Sequence, residues 1–405
     1  MTSRPTISQS LLLAGIIILI AETAIAGTYD PGATNTAVKI GNTQPYSGAA
    51  SALGTIGKTQ AAYFKMINEK GGVNGRKIEY VSYDDAYSAP KAVENTRKLV
   101  ESDEVLFVVL PIGTRPTMAT IRYLNEKKVP QLFIAAGGTF LGDYKQYPYS
   151  LGWQPPYQLE AYIYGTYLAT ENPKEKIGVL YSGDDFGHDN IKGLRQGLGD
   201  KAGNIVAQVT YDTADTNADA EIQKLRASGA TVLVNFAGPN FAAQAIKKIS
   251  EIGWQPTIHI LTSASQSVLS ELSAASSKNI ISASYLKDPG DPDWSSDQGI
   301  RNFVQFVEKF MPSESKSNNL IIYSYTVAQG IVALLKQCGD DLTRANVMQR
   351  AEGMKGIELD LLLPGVEVNT SPRNHFPIHQ MQLIKFDGTR WVRFGRLMEG
   401  KINID

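Results

Sequence analysis

Residues 105–139 read VLFVVLPIGTRPTMATIRYLNEKKVPQLFIAAGGT, and they organise the rest of the chain. Val105-Leu-Phe-Val-Val-Leu110 is a continuous apolar run, Pro111-Ile-Gly-Thr-Arg-Pro116 a turn, 117–127 a helical pattern and Gln131-Leu-Phe-Ile-Ala135 a second apolar run. Apolar strands of this kind separated by a helix predict a parallel β-α-β unit covered on both faces. Ligands of such sheets bind beyond the carboxyl ends of the strands. Both predicted strand ends carry small residues that bare main-chain N–H groups, plus a hydroxyl: Gly113-Thr114 and Gly137-Gly138-Thr139. Oriented amides and a helix N-terminus hold an anion without a metal. A plain turn followed by a helix cap uses the same residue types.

Working outward, Val38-Lys-Ile-Gly41 is a strand that ends at Pro45-Tyr46-Ser47-Gly48, residues 55–70 are helical, and Lys77-Ile-Glu-Tyr-Val-Ser-Tyr83 alternates as a strand. Asp84-Asp85-Ala-Tyr-Ser88 then turns into a helix opening near Pro90, a favoured first-turn residue. On the other side, Trp153-Gln-Pro-Pro-Tyr157 breaks the pattern and suits a rigid crossing segment. Alternation restarts with helices over 158–171, 191–202, 218–228 and 240–252 and strands over 176–181, 205–209, 231–236, 257–261 and 280–285. Three helices (297–310, 319–338, 344–354) and a hairpin turning at Asp387-Gly388 finish the chain. The expected fold is α/β: two parallel-sheet lobes joined by several crossings, with a cleft between them.

Residues 1–26 carry the marks of a cleaved signal peptide: Arg4, an apolar core over 11–20, and Ala24-Ile25-Ala26. Export to a periplasm follows, and no cysteine stands at the cleavage site to take a lipid anchor. The single cysteine, Cys338, excludes an internal disulfide and reads as packing. With 39 basic against 40 acidic residues and no basic run, nothing points to nucleic acid.

Catalytic chemistry has little support. There is no Gly-x-Ser-x-Gly elbow, no phosphate-loop or Gly-x-Gly-x-x-Gly motif after a strand, and His375 and His379 lack the partners of a metal site. Asp84-Asp85 and Asp184-Asp185 read as caps of the following helices in preference to acid–base pairs. Neither a cofactor, a metal nor a catalytic residue is expected, and the site is one for binding.

Six motifs carry a resemblance: Pro45-Tyr-Ser-Gly48, Asn68-Glu-Lys-Gly-Gly-Val-Asn-Gly75, Lys128-Val-Pro-Gln131, Asp184-Asp-Phe-Gly-His-Asp189, Phe241-Ala-Ala-Gln-Ala-Ile246 and Tyr285-Leu-Lys-Asp-Pro289. With them the chain resembles the type I periplasmic solute-binding proteins that feed ABC importers, in the Leu/Ile/Val-binding branch. That resemblance implies two Rossmann-like lobes joined by a three-segment hinge: residues 37–152 plus 287–365 as the N-terminal lobe and 153–286 plus 366–402 as the C-terminal lobe, with crossings near Trp153, Lys287 and Pro364. In amino-acid-binding members, that resemblance implies, the ligand carboxylate sits on two strand-end loops of the first lobe, here Gly113-Thr114 and Gly137-Gly138-Thr139. The ammonium is held from the second lobe by an acidic residue and a tyrosine, whose places fall on Ser263 and Gly238.

Loss of the counter-charge and the aromatic face leads to the expectation of a small carboxylate without an α-ammonium group, an aromatic or other hydrophobic acid. Branched-chain or other amino acids, or a ligand-sensing subunit of the same fold, are the alternatives, and an exported enzyme the third. Tyr46, Trp153, Tyr157, Phe186 and Tyr285 are candidate walls. Arg115 either pairs with the carboxylate or faces solvent. The implied partner is an inner-membrane ABC permease, and the protein is expected to be a monomer that closes about its hinge.

Overall fold

A computed structural model describes residues 1–2, 27–48 and 50–402, so the expected signal segment lies, apart from its first two residues, outside the described residues. Two sheets dominate. The first has five parallel strands in the order Lys77–Asp84, Ala37–Gln44, Phe107–Val109, Gln131–Ile134, Ser150–Gly152. The opening β-α-β unit is there: Val108 pairs with Gln131 and Val109 with Leu132 in parallel, and the helix Thr114–Glu126 makes the crossover. Both strands are wholly buried, as continuous apolar runs require.

The second sheet has seven strands in the order Trp391–Glu399, Gln380–Phe386, Ile281–Ser284, Ile258–Leu261, Val232–Phe236, Ile177–Ser182, Ile205–Tyr211. Its last five run parallel, and the C-terminal hairpin adds antiparallel onto Ile281–Ser284. In each sheet the strand order reverses once, between Ala37–Gln44 and Phe107–Val109 and between Ile177–Ser182 and Val232–Phe236. Crevices beyond these switch points are where an α/β sheet receives a ligand.

Three crossings join the lobes. Gly152 N–H donates to the His375 carbonyl, Lys287 N–H to Leu361 and Leu363 N–H to Tyr285, so the strands of the hinge are tied to each other. The stretch 366–376, expected in the second lobe, bonds instead to residues of the first-lobe side: Val368 N–H to Ile357, Thr370 N–H to Met354, and His375 Nδ1 lies 2.7 Å from the Ser150 carbonyl. Phe376 likewise is buried with Leu141 and Ile134 on the first-lobe side.

Trp153 is fully buried, edge-on to Phe133 at 5.2 Å. A Cβ on Gly330 would lie 2.8 Å from its ring, so glycine lets the helix Asn319–Cys338 close onto the indole. The helix expected from residue 191 begins earlier, at Asp185. Asp184 supplies the reason: its carboxylate accepts the Gly187 N–H and the Ser182 hydroxyl, an N-cap that the first turn Asp185-Phe186-Gly187 extends. Among the described residues no helix is long and apolar enough to cross a membrane.

Candidate functional site

The first sheet's switch point ends in Leu110-Pro111-Ile112-Gly113. Leu110 has φ +49°, and its carbonyl is fixed by the Asn42 and Gln44 side-chain amides at 3.0 and 2.7 Å. That turn delivers Gly113 at φ +92° to the start of Thr114–Glu126, whose opening N–H groups have no partner within the helix. Thr114 Oγ1 lies 3.4 Å from the Tyr157 hydroxyl. Tyr157 opens the helix Tyr157–Glu171, and its ring lies against Gly137, where a Cβ would come within 2.7 Å of it. Phe186, from the start of Asp185–Leu198, meets Tyr157 edge to face at 4.7 Å. Contacts thus link Gly113-Thr114, Gly137, Tyr157 and Phe186.

Tyr87 joins them without having been foreseen. Ala86 and Tyr87 both take left-handed backbone, φ +50° and +60°, and the Tyr87 N–H is held by Asp85 Oδ1 at 2.8 Å. Two consecutive non-glycine residues in that region carry strain that surrounding contacts must maintain. The result is a residue partly exposed overall whose ring end lies against Gly113, its hydroxyl 2.5 Å from where a Cβ there would stand. Gly113→Ala is expected to cost about 2 kcal/mol through its positive φ and this clash, read as a lower urea midpoint at unchanged slope. The acidic pair beside it does not cap a helix: Asp84 accepts the Tyr46 and Ser47 N–H groups and the Ser47 hydroxyl, while Ser88 occupies the cap position. The Ser47 hydroxyl bond, ahead of the backbone bonds, holds the Asp84 pKa below its usual value.

Between the lobes stands Asp184. Burial first, and this charge in addition, hold the phenols of Tyr87, Tyr157 and Tyr211 above the usual tyrosine range. Tyr211 stacks on Phe241 at 3.8 Å and accepts the Gly238 N–H at 2.8 Å. A tyrosine from the end of another strand therefore stands beside Gly238, its hydroxyl on the Gly238 amide and its ring packed on Phe241.

A similar correction applies at Ser263. Its N–H and hydroxyl donate to Glu160 at 2.7 and 2.5 Å, and Tyr164 donates to the same carboxylate at 2.8 Å. Burial raises the Glu160 pKa against these hydrogen bonds. An acid therefore stands directly behind the serine, brought there by the helix Tyr157–Glu171.

The remaining expected residues are placed differently. Trp153 lies in the hinge core, and Tyr285 beside it is buried, the indole N–H and the phenol facing each other without closing a full hydrogen bond. Arg115 is exposed at the mouth, within electrostatic reach of Tyr87. Tyr46 is turned away to Ser82 at 2.6 Å. Thr139 is already engaged: its N–H and hydroxyl donate to Asp189 at 2.7 and 2.8 Å, and Gly138 opens the short turn Thr139–Gly142. Cys338 is buried in its helix, where burial pushes the thiol up to about 12, consistent with packing. No group of three or more candidate metal ligands occurs among the described residues.

Two parallel-sheet α/β lobes, each with a crevice at its switch point, define the class of fold. The chain belongs to the periplasmic binding protein family, whose sequence pattern it matches over residues 37–390. The family consists of solute-binding proteins of transporters, not enzymes. The chain is 26 % identical over 350 residues to a Pseudomonas aeruginosa protein named an amino acid binding protein, covering 82 % of this chain and 86 % of that one. Its fold is similar to a substrate-binding periplasmic protein from Ralstonia solanacearum (TM-score 0.79, 21 % identity, 88 % of this chain and 99 % of that one). It is similar as well to an ABC-transporter solute binding protein of Rhodopseudomonas palustris BisB5 in complex with 3,4-dihydroxybenzoic acid (TM-score 0.76, 18 % identity, 89 % and 97 % covered).

Proposed function

We propose that this protein is the periplasmic solute-binding component of an ABC importer and captures a small carboxylate with an aromatic or other hydrophobic body. The observation that carries the reading is the convergence of Thr114, at a helix N-terminus, with the Tyr157 and Phe186 rings across the interlobe crevice. The carboxylate is received by the Thr114 hydroxyl and the first amides of its helix, which favour an anion. Its body lies against Tyr157 and Phe186, with Tyr87 over the mouth. Asp184 at the far side asks for a hydrogen-bond donor, and a phenolic hydroxyl meets that need. The lobes close about the hinge, and an inner-membrane permease recognises the closed form. Export through residues 1–26 and free diffusion as a monomer in the periplasm belong to the same proposal.

A second reading, an amino acid, is favoured by one observation: Asp184 among three tyrosines is a place for an ammonium group as much as for a hydroxyl. The P. aeruginosa relative's name agrees with it. Calorimetric titration of the mature protein with 3,4-dihydroxybenzoate, benzoate, L-leucine and L-valine separates the two. Heat with the aromatic acids alone supports the first reading; heat with the amino acids alone overturns it in favour of the second. For whichever solute binds, Thr114→Val is expected to weaken affinity about tenfold through loss of one charge-assisted hydrogen bond. Unchanged affinity would remove Thr114 from the site.

A further inference from the structure

We propose that Asp189 is a specificity-determining residue: a carboxylate of the chain itself that fills the second of the two anion-binding loops, so that an acidic solute is held by the first loop alone. The loop Gly137-Gly138-Thr139 has the equipment of a carboxylate receptor, an amide and a hydroxyl directed to one point. At that point the structure holds an anion. Asp189 accepts the Thr139 N–H at 2.7 Å through Oδ2 and the Thr139 hydroxyl at 2.8 Å through Oδ1 and 3.0 Å through Oδ2. Gln158, fully buried, adds a third donor at 2.9 Å to Oδ1 and reaches the Thr139 hydroxyl at 3.3 Å. Three donors on one carboxylate satisfy it as a bound ligand's would be satisfied, and a charged acceptor makes each bond stronger than a neutral one.

The contact joins parts of the chain fifty residues apart, one at the end of a first-sheet strand and the other on the first turns of Asp185–Leu198. The same loop is stitched to the second lobe by the Tyr157 N–H, which donates to the Gly137 carbonyl at 2.8 Å. Two consequences follow. The Thr139 loop serves lobe-to-lobe contact in place of ligand contact. A second carboxylate brought to Thr139 would meet Asp189 at hydrogen-bond range and be repelled, which selects against diacids and against any solute that needs both loops.

This inference rests on the reading of the strand-end loops as anion receptors, but its test uses no cognate solute, so it stands or falls separately from the identity of the ligand. Sodium acetate is the probe, titrated at constant ionic strength into the wild type, Asp189→Ala and Asp189→Ala/Thr139→Val, with the melting temperature as readout. Asp189→Ala is expected to melt lower than the wild type and to recover by about 2–4 °C in a saturable way with acetate, because a ligand of the native state alone raises the transition by mass action. Acetate also reaches the Thr114 loop, which all three proteins share, so the wild type and the double variant are expected to respond alike and less than Asp189→Ala, whose excess shift reports the Thr139 loop. An acetate response in the wild type equal to that of Asp189→Ala would overturn the proposal, since the loop would then be open. So would the absence of any response in Asp189→Ala, which would make Asp189 a structural contact only. Asp189→Ser, which vacates the same space with a small polar side chain, carries the same comparison if the alanine variant does not fold.

Discussion

Gly193→Ala is expected to destabilise the protein by about 3 kcal/mol, the upper end of the cost of overpacking a well-filled interior, seen as a lower midpoint in urea with the slope unchanged. The cause is the contact between the helices Tyr157–Glu171 and Asp185–Leu198, which cross backbone to backbone. A Cβ on Gly193 would collide with the Gln158 main chain; one on Gly197 would collide with Tyr162, and one on Gly165 with Leu194. All three clashes are with main chain and cannot be relieved by a rotamer change. The helices would have to part, and the parting would be felt at the site: one helix begins with Tyr157 and Gln158 and carries Glu160, while the other carries Phe186 and Asp189. Solute affinity should therefore fall together with stability. A Gly193→Ala variant as stable as the wild type would show that the helices are not packed this closely.

Glu160→Ala should cost about 3 kcal/mol, because it strands the Ser263 N–H, the Ser263 hydroxyl and the Tyr164 hydroxyl in a dry interior. Glu160→Gln keeps the volume and should cost about 1 kcal/mol at acidic pH. The pH dependence is the sharper test. Burial raises the folded-state pKa of Glu160 above its ordinary value of 4.5, so the folded protein binds this proton more tightly than the unfolded chain does. The resulting stability is fully present below the ordinary value and is lost as pH rises through the raised one. The wild-type advantage over Glu160→Gln should thus shrink on going from below that ordinary value towards neutrality, measured by urea unfolding at a series of pH values. A difference independent of pH would mean that Glu160 is ionised in the folded protein as readily as in the unfolded chain.

Much of the fold was legible. The apolar runs at 105–110, 131–135, 176–181 and 231–236 all became buried parallel strands, and the helices at 240–252 and 319–338 were placed within a residue or so. Strand ends were legible too: glycine at Gly113 is demanded locally by a positive φ, whereas at Gly137 it is the approach of the Tyr157 ring, a contact made by the fold, that leaves no room for a side chain. The helix at 185 was read six residues late. The motif Asp184-Asp-Phe-Gly is a cap whose aromatic residue, Phe186, packs edge to face on Tyr157 at the start of the neighbouring helix instead of in the sheet core.

Less of the site was legible. Tyr87 was hidden because nothing in Asp85-Ala86-Tyr87 announces left-handed backbone, which its contacts around Gly113 and Asp85 sustain. Tyr211 and Glu160 were missed for a common reason. Each serves a neighbour reached only through the fold, Gly238 in one case and Ser263 in the other, and at their own positions they look like a strand-end tyrosine and a helical acid.

By itself the sequence determined that this is a two-lobed parallel α/β binding protein with glycine- and threonine-bearing loops at its strand ends. Burial on both faces of a sheet, and the steric freedom a tight turn needs, are local demands, and they select residue types position by position. Only the tertiary structure decided which groups those loops receive. It set Asp189 on Thr139, Glu160 behind Ser263 and Tyr211 beside Gly238. Pairing of buried polar groups is fixed by which strand ends and helix starts meet across the lobes, and separation along the chain does not encode that meeting.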